Sequence, residues 1–312
     1  MRYAPASRFC AIVAVVTLAA ACQQNDGPLS PALLRLERSA SVKGLQGGIA
    51  FHSTRAGNFH IFVMNADGSD VRQVTSGDDV FEFDPIWSPN GQQILFFRFV
   101  LTTGTGQMVI VNDDGTGLRV VAENGFPGAW SPNGKQIAFQ RFEDGGVYLI
   151  NVDGTGLTKV TDNGTPTAFS PNGKQIAFNR WEDGNVDIYV INVDGTGLVR
   201  LTDDPAIDFG DRAGWSPNGK EFLFSSTRNG GDIDIFVMNA DGTNVRQLTF
   251  NSCDDDDPVW SPNGKQIAHQ TTCHGGDEDI VVRNADGSDP VQITTNDDIW
   301  DAVPAWRSRP VK

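Results

Sequence analysis

The chain has 312 residues, with 39 acidic against 24 basic side chains and a formal net charge of −15. Such a balance excludes a nucleic-acid binder, because contacts to phosphate need clustered Lys and Arg. With 39% hydrophobic residues it can build a globular core, and its four cysteines leave little room for a disulfide-dense scaffold.

Residues 1–21 read as a lipoprotein signal peptide. Arg2 and Arg8 give a positive n-region, and FCAIVAVVTLAAA is shorter than the ~20 apolar residues of a bilayer span. The run ends in Ala19-Ala20-Ala21-Cys22, similar to a lipobox, with Leu18 one step further out than usual. Cys22 is therefore expected to carry the lipid anchor, and Gln23 after it points to the outer membrane. An ordinary secretory signal ending near a cysteine is the alternative. Either way the exported chain keeps Cys253 and Cys273, which in an oxidising compartment read as one disulfide. Residues 22–47 read as a tether, with SPALLRLERSA a candidate short helix.

From Gly48 onward the chain repeats. An aromatic opens a Ser-Pro-Asn-Gly-like phrase at Trp87, Trp130, Phe169, Trp215 and Trp260 and recurs at Trp306, while Asn-x-Asp-Gly recurs at Asn65, Asn112, Asn151, Asn192, Asn239 and Asn284. Each unit reads as four short strands, a to d. In the unit around Trp260 and its predecessor these are PVW for a, QIAHQ for b, DIFVMN (Asp234 to Asn239) for c and VRQLT (Val245 to Thr249) for d. The phrases between them are hairpin turns: Pro has the fixed φ of position i+1, Asn suits i+2, and Gly supplies the left-handed residue of a bulged hairpin. Six such meanders predict an all-β fold, a six-bladed β-propeller of four-stranded blades over 48–312. The first unit lacks strand a, and PAWRSRP at Pro304 supplies one with nothing after it. The C-terminal strand is thus expected to join the N-terminal blade and close the ring, leaving no unpaired edge.

IFVMNADGSDVRQVT followed by DPIWSPNGQQILFF resembles the TolB-type, WD40-like PD40 repeat, and the resemblance runs from Gly48 to Trp306. It implies a propeller and leaves function open, since such repeats occur in periplasmic Tol-system proteins, in the propellers of prolyl-oligopeptidase-like peptidases and in proteins of other roles. The Tol translocation protein has an α/β domain ahead of its propeller, for which this chain has no room, and the peptidases carry a G-x-S-x-G elbow, which it lacks.

In a meander the d-to-a crossings and b–c loops emerge on one face, and the a–b and c–d turns on the other. The crossings are rich in acids, with Arg212 the lone basic residue among them, whereas Lys135, Lys174, Lys220 and Lys265 follow the opposite turns. The expected partner-binding face is built on Asp84, Asp211, Asp254, Asp255, Asp256, Asp257 and Asp301. Three readings stay open for these acids. Each Asp caps a turn or pairs with an Arg ending strand b (Arg55, Arg98, Arg141, Arg180 or Arg228); the cluster docks a basic or mixed-charge partner; or Asp254 and Asp256 hold a divalent cation such as Ca²⁺. Asn-Ala-Asp-Gly-Ser-Asp is similar to the start of a calcium loop but lacks the distal bidentate Glu, so it reads as a turn. His52, His60, His269 and His274 all fall in the first and last units, and His269 stands where other units have Phe. A catalytic or metal role there is weighed against ordinary packing. No triad motif is present, and the strand-a aromatics read as wedges between blades. The expectation is a monomeric, lipid-anchored, non-enzymatic scaffold engaging a protein or cell-wall component on the periplasmic side of the envelope, with a metal-assisted saccharide lyase or hydrolase as the alternative.

Overall fold

A computed structural model describes residues 47–273, 277–295 and 298–307. Residues 1–46, with Cys22, and His274 lie outside that range. Among the described residues every regular element is a strand, and the strands form six separate four-stranded antiparallel sheets. Strands a of successive blades lie against one another around the axis, at Asp301–Trp306, Val80–Trp87, Gly125–Trp130, Thr165–Phe169, Asp208–Trp215 and Asp255–Trp260.

Blade one closes the ring. Its sheet runs from Asp301–Trp306 to Gly48–Ala56, Asn58–Asn65 and Arg72–Gln73, with Ile49 opposite Trp306 and Ser53 opposite Asp301. The first and last segments of the propeller therefore share one sheet.

The turns explain why the same words recur. In Ser261-Pro-Asn-Gly264 the glycine N–H donates to the Ser261 carbonyl (2.8 Å), and Gly264 sits at φ 68°. The Ser261 hydroxyl donates to Asn263 Oδ1 (2.9 Å) and accepts from the Gln266 N–H (2.9 Å), so each polar letter satisfies a backbone or side-chain group. In the Asn-x-Asp-Gly turns the Asp carboxylate accepts from the amide and hydroxyl two residues on, as Asp241 does from Thr243 at 3.0 and 2.6 Å. These bonds hold the exposed Asp241 carboxyl below the usual carboxylate range. Gly68 has a second constraint: a Cβ there would lie 2.4 Å from the Ile293 carbonyl oxygen of the neighbouring blade.

Each strand-a aromatic sits in a core cluster shared by two blades. Trp306 joins blades six and one, Trp87 joins one and two, and Phe169 joins three and four. The Trp130 and Trp260 indoles also donate to the preceding blade's carbonyls at Ile86 (3.3 Å) and Gly214 (3.1 Å). They are wedges with a polar tether.

Strand d is shorter than the sequence suggests. In blade five the ladder covers Arg246–Gln247 and not Val245 to Thr249. The Ile235 N–H beyond it donates to the Thr249 hydroxyl (2.9 Å), which in turn donates to Asp234 at the head of strand c (2.9 Å). Thr294 and Asp279 repeat this arrangement in blade six. A side chain thus replaces the last rung of the ladder. Cys253 and Cys273 form the expected disulfide, Cα atoms 5.2 Å apart, tying the crossing into blade six to that blade's b–c loop.

Candidate functional site

The axis of the ring is shaped by breaks in strand a. In blade two, Asp84 and Pro85 oppose the single residue Phe96; in blade six, Asp257 and Pro258 oppose His269. Asp84 and Asp257 take left-handed φ values of 61° and 52°, as does Val303 (51°) before Pro304. A non-glycine residue held there costs on the order of 1 kcal/mol and persists only where its surroundings fix it. Blade five has the largest break: Asp211 to Gly214 oppose Leu223 alone. That bulge carries Asp211 and Arg212 to the channel.

Asp211, Asp256 and Asp257 come together at this level. One carboxylate oxygen from each lies within 4.8 Å of the other two. Asp211 accepts from the Ser225 hydroxyl (2.6 Å), and Asp256 from the Asp257 N–H (2.8 Å). Three carboxylates so close, with hard oxygen donors, attract an ammonium, a guanidinium or a divalent ion such as Ca²⁺. Asp254, paired with Asp256 in the sequence reading of a cation site, stands apart: it is exposed, and its Oδ1 accepts from the Ile233 N–H (2.9 Å).

Arg212, beside Asp211 in the blade-five bulge, carries its own charge across the ring. Blades five and two face each other in a ring of six, and the guanidinium reaches Asp84, donating to its backbone carbonyl (2.6 Å) and lying 3.3 Å from its carboxylate. It also lies over the Phe126 ring of blade three, 5.3 Å from the centroid. The Asp84 N–H donates to His52 Nδ1 (3.3 Å), and His52 packs edge-on against Phe59 and Phe83. Burial, with Arg212 nearby, lowers the His52 pKa to about 4 despite the opposing field of Asp84.

Of the acids placed on the docking face by sequence, Asp211, Asp255, Asp257 and Asp301 are buried, whereas Asp84 and Asp256 are half-buried and Asp254 is exposed. Acids heading strand a pair with arginines ending strand b in three blades: Asp301 with Arg55, Glu82 with Arg98 and Asp208 with Arg228. Arg141 pairs with Asp144 of its own b–c loop, and Arg180 with Glu182 at the end of the same strand b. These five guanidinia return positive charge to the acidic face, so its polarity is weaker than the crossings alone imply. Asp255 has no arginine at that place; it accepts from Asn251 (2.6 Å) and lies 3.8 Å from His269 Nδ1.

His269 is an interior residue with both ring nitrogens engaged. Nδ1 donates to the Gln270 carbonyl (2.9 Å), and Nε2 accepts from Arg283 Nε (2.9 Å). Because Arg283 can only donate, the imidazole must be neutral. Burial and the Arg283 charge lower its pKa to about 4. His60 is bound to buried Glu82 (3.0 Å). The three described histidines do not converge on a common point.

Sequence reasoning missed an apolar element of the acidic face. Phe250 is 77% exposed and Trp300 41% exposed, both in crossings beside blade six. The signal was present as large aromatics in otherwise polar loops.

A sequence profile described as the TolB beta propeller domain matches residues 99–308. Among solved structures, TolB from Acinetobacter baumannii is similar at 22% identity and a TM-score of 0.71, covering 84% of this chain and 66% of that one. The chain thus spans just under two thirds of that relative. A putative TolB from Agrobacterium tumefaciens matches at 22% identity and a TM-score of 0.64, over 80% of this chain and 88% of that one. An oligogalacturonate lyase in complex with manganese matches at 16% identity and a TM-score of 0.55, over 80% and 74%. No curated protein matches the chain. At these identities the structural likenesses carry the fold alone.

Proposed function

The chain belongs to the TolB β-propeller family, and from that premise we propose that it is a non-enzymatic binding scaffold of the cell envelope, docking a protein partner at the acidic mouth of its channel. The observation that carries this reading is the convergence of Asp211, Asp256 and Asp257, together with the exposed aromatics Phe250 and Trp300 in the crossings into and out of blade six. Charge at the mouth steers and orients a basic partner, and exposed aromatic rings supply the apolar anchor that interfaces use as hot spots. In this proposal Cys22 carries the lipid, the propeller stands on the periplasmic side of the outer membrane, and the monomer is the working unit.

Carbodiimide coupling of carboxylates to partner amines in intact envelopes tests it. The wild-type chain gives an adduct in the membrane fraction. Asp254→Asn/Asp256→Asn/Asp257→Asn loses the adduct, and Cys22→Ser moves the protein to the soluble fraction. An adduct unchanged in the triple variant refutes docking at the mouth, and a Cys22→Ser protein that stays with the membrane refutes the anchor.

The same three carboxylates favour a second reading, a metal-assisted saccharide lyase or hydrolase, because they would supply hard ligands for a divalent ion. Turnover of an acidic oligosaccharide that appears with added Mn²⁺ or Ca²⁺ and vanishes in Asp211→Asn would replace the scaffold reading.

A further inference from the structure

We propose that the corner formed by Asp84 and Phe126 is a guanidinium seat, filled by Arg212 in the unliganded protein and taken over by an arginine side chain of the docked partner. This rests on the docking reading above and specifies which group of the partner enters the channel.

The seat is defined by what already occupies it. The Arg212 guanidinium meets a backbone carbonyl (2.6 Å), a carboxylate (3.3 Å) and an aromatic face (5.3 Å to the centroid), the three partners that a planar, charged, five-donor group uses best. All three come from blades other than Arg212's own. Asp84 is fixed from below by the bond from its N–H to His52 and by the left-handed backbone before Pro85, so the seat does not depend on Arg212 for its shape. Arg212, by contrast, is presented by a four-residue bulge facing one residue of the partner strand, the largest break in any inner strand of the ring. An occupant on a long side chain and an enlarged bulge can leave without disturbing the seat. On leaving, it would come free beside Asp211, its own neighbour in the bulge, so its charge would stay near carboxylates.

Calorimetric titration of the purified full chain with N-acetyl-argininamide, with N-acetyl-norleucinamide as the uncharged comparison, tests the seat. Arg212→Ala should bind N-acetyl-argininamide about tenfold more tightly than the wild type, a change of ~1.4 kcal/mol. The Arg212→Ala/Asp84→Asn double variant should return to the wild-type level. If Arg212→Ala does not fold, Arg212→Gln carries the same expectation. No gain in the single variant, a gain that survives Asp84→Asn, or an equal gain for the norleucine compound overturns the proposal. The titration involves no envelope partner. Failure of the seat with a wild-type adduct that the triple variant loses leaves docking intact, and a functioning seat with an adduct unchanged in the triple variant refutes docking at the mouth alone.

Discussion

A chain that ends at Trp300 should lose cooperative folding. The missing strand is buried along its whole length, from Asp301 to Trp306. Its loss removes Trp306 from the cluster joining blades six and one, and Ala305 from the cluster joining one and two. Removing a buried tryptophan costs about 3–5 kcal/mol. Removing Asp301 also strands Arg55, which lies over Phe51 and Phe62 with only part of its side chain in water; breaking a buried pair adds a further ~3 kcal/mol or more. The Val303 N–H bond to Gln270 (2.9 Å) and the Asp301 N–H bond to Glu278 (2.9 Å) go too, and both are links to blade six. Together these losses are comparable with the ~5–15 kcal/mol that holds a typical domain folded. Thermal unfolding followed by circular dichroism should show no cooperative transition, and a truncated chain melting with the full-length protein would refute closure by the last strand.

Acid should destabilise the propeller through two histidines. Burial lowers the pKa of His52 and His269 from 6.5 to about 4. The unfolded chain therefore takes up these protons first as pH falls, and stability is lost progressively from about pH 6.5 down to about pH 4, where the folded state begins to accept them too. Above pH 6.5 neither group contributes a slope. Each shift corresponds to roughly 3 kcal/mol. His269→Phe/Arg283→Met places in blade six the residue types that Phe224 and Met238 provide in blade five, removing the histidine without stranding its arginine. Urea unfolding at pH 7.0, 5.5 and 4.5 should show this variant losing ~2–3 kcal/mol less than the wild type over that span. Parallel curves for the two proteins would show that His269 is not held neutral in the folded state.

The propeller was legible because its repeated phrases encode backbone requirements. Gly264 must be left-handed, Ser261 and Asn263 must bond within one turn, and Trp260 must fill the gap to the blade before it. Each is a local rule that shows as a letter at a fixed place. The disulfide was legible for a similar reason, since the crossing and the b–c loop of one blade emerge on one face. The site was not, because it depends on how far each inner strand bulges. Nothing in the letters D-R-A-G says that four residues will face one, and so Asp211 meets Asp256 and Asp257 while Asp208 pairs with Arg228. The short strand d was hidden likewise: a threonine hydroxyl standing in for a peptide group leaves no mark in the hydrophobic pattern. His269, an outlier in its repeat, drew attention as chemistry and proved to be half of a compensated pair with Arg283.

The central claim is that the partner meets the acidic, crossing-bearing face. A photoreactive amino acid at Phe250 on that face, compared with one at Leu157, which follows a c–d turn on the opposite face, tests it in intact envelopes. The account predicts a discrete adduct on illumination from position 250 and none from position 157; an adduct from 157 alone, or equal adducts from both, would contradict it.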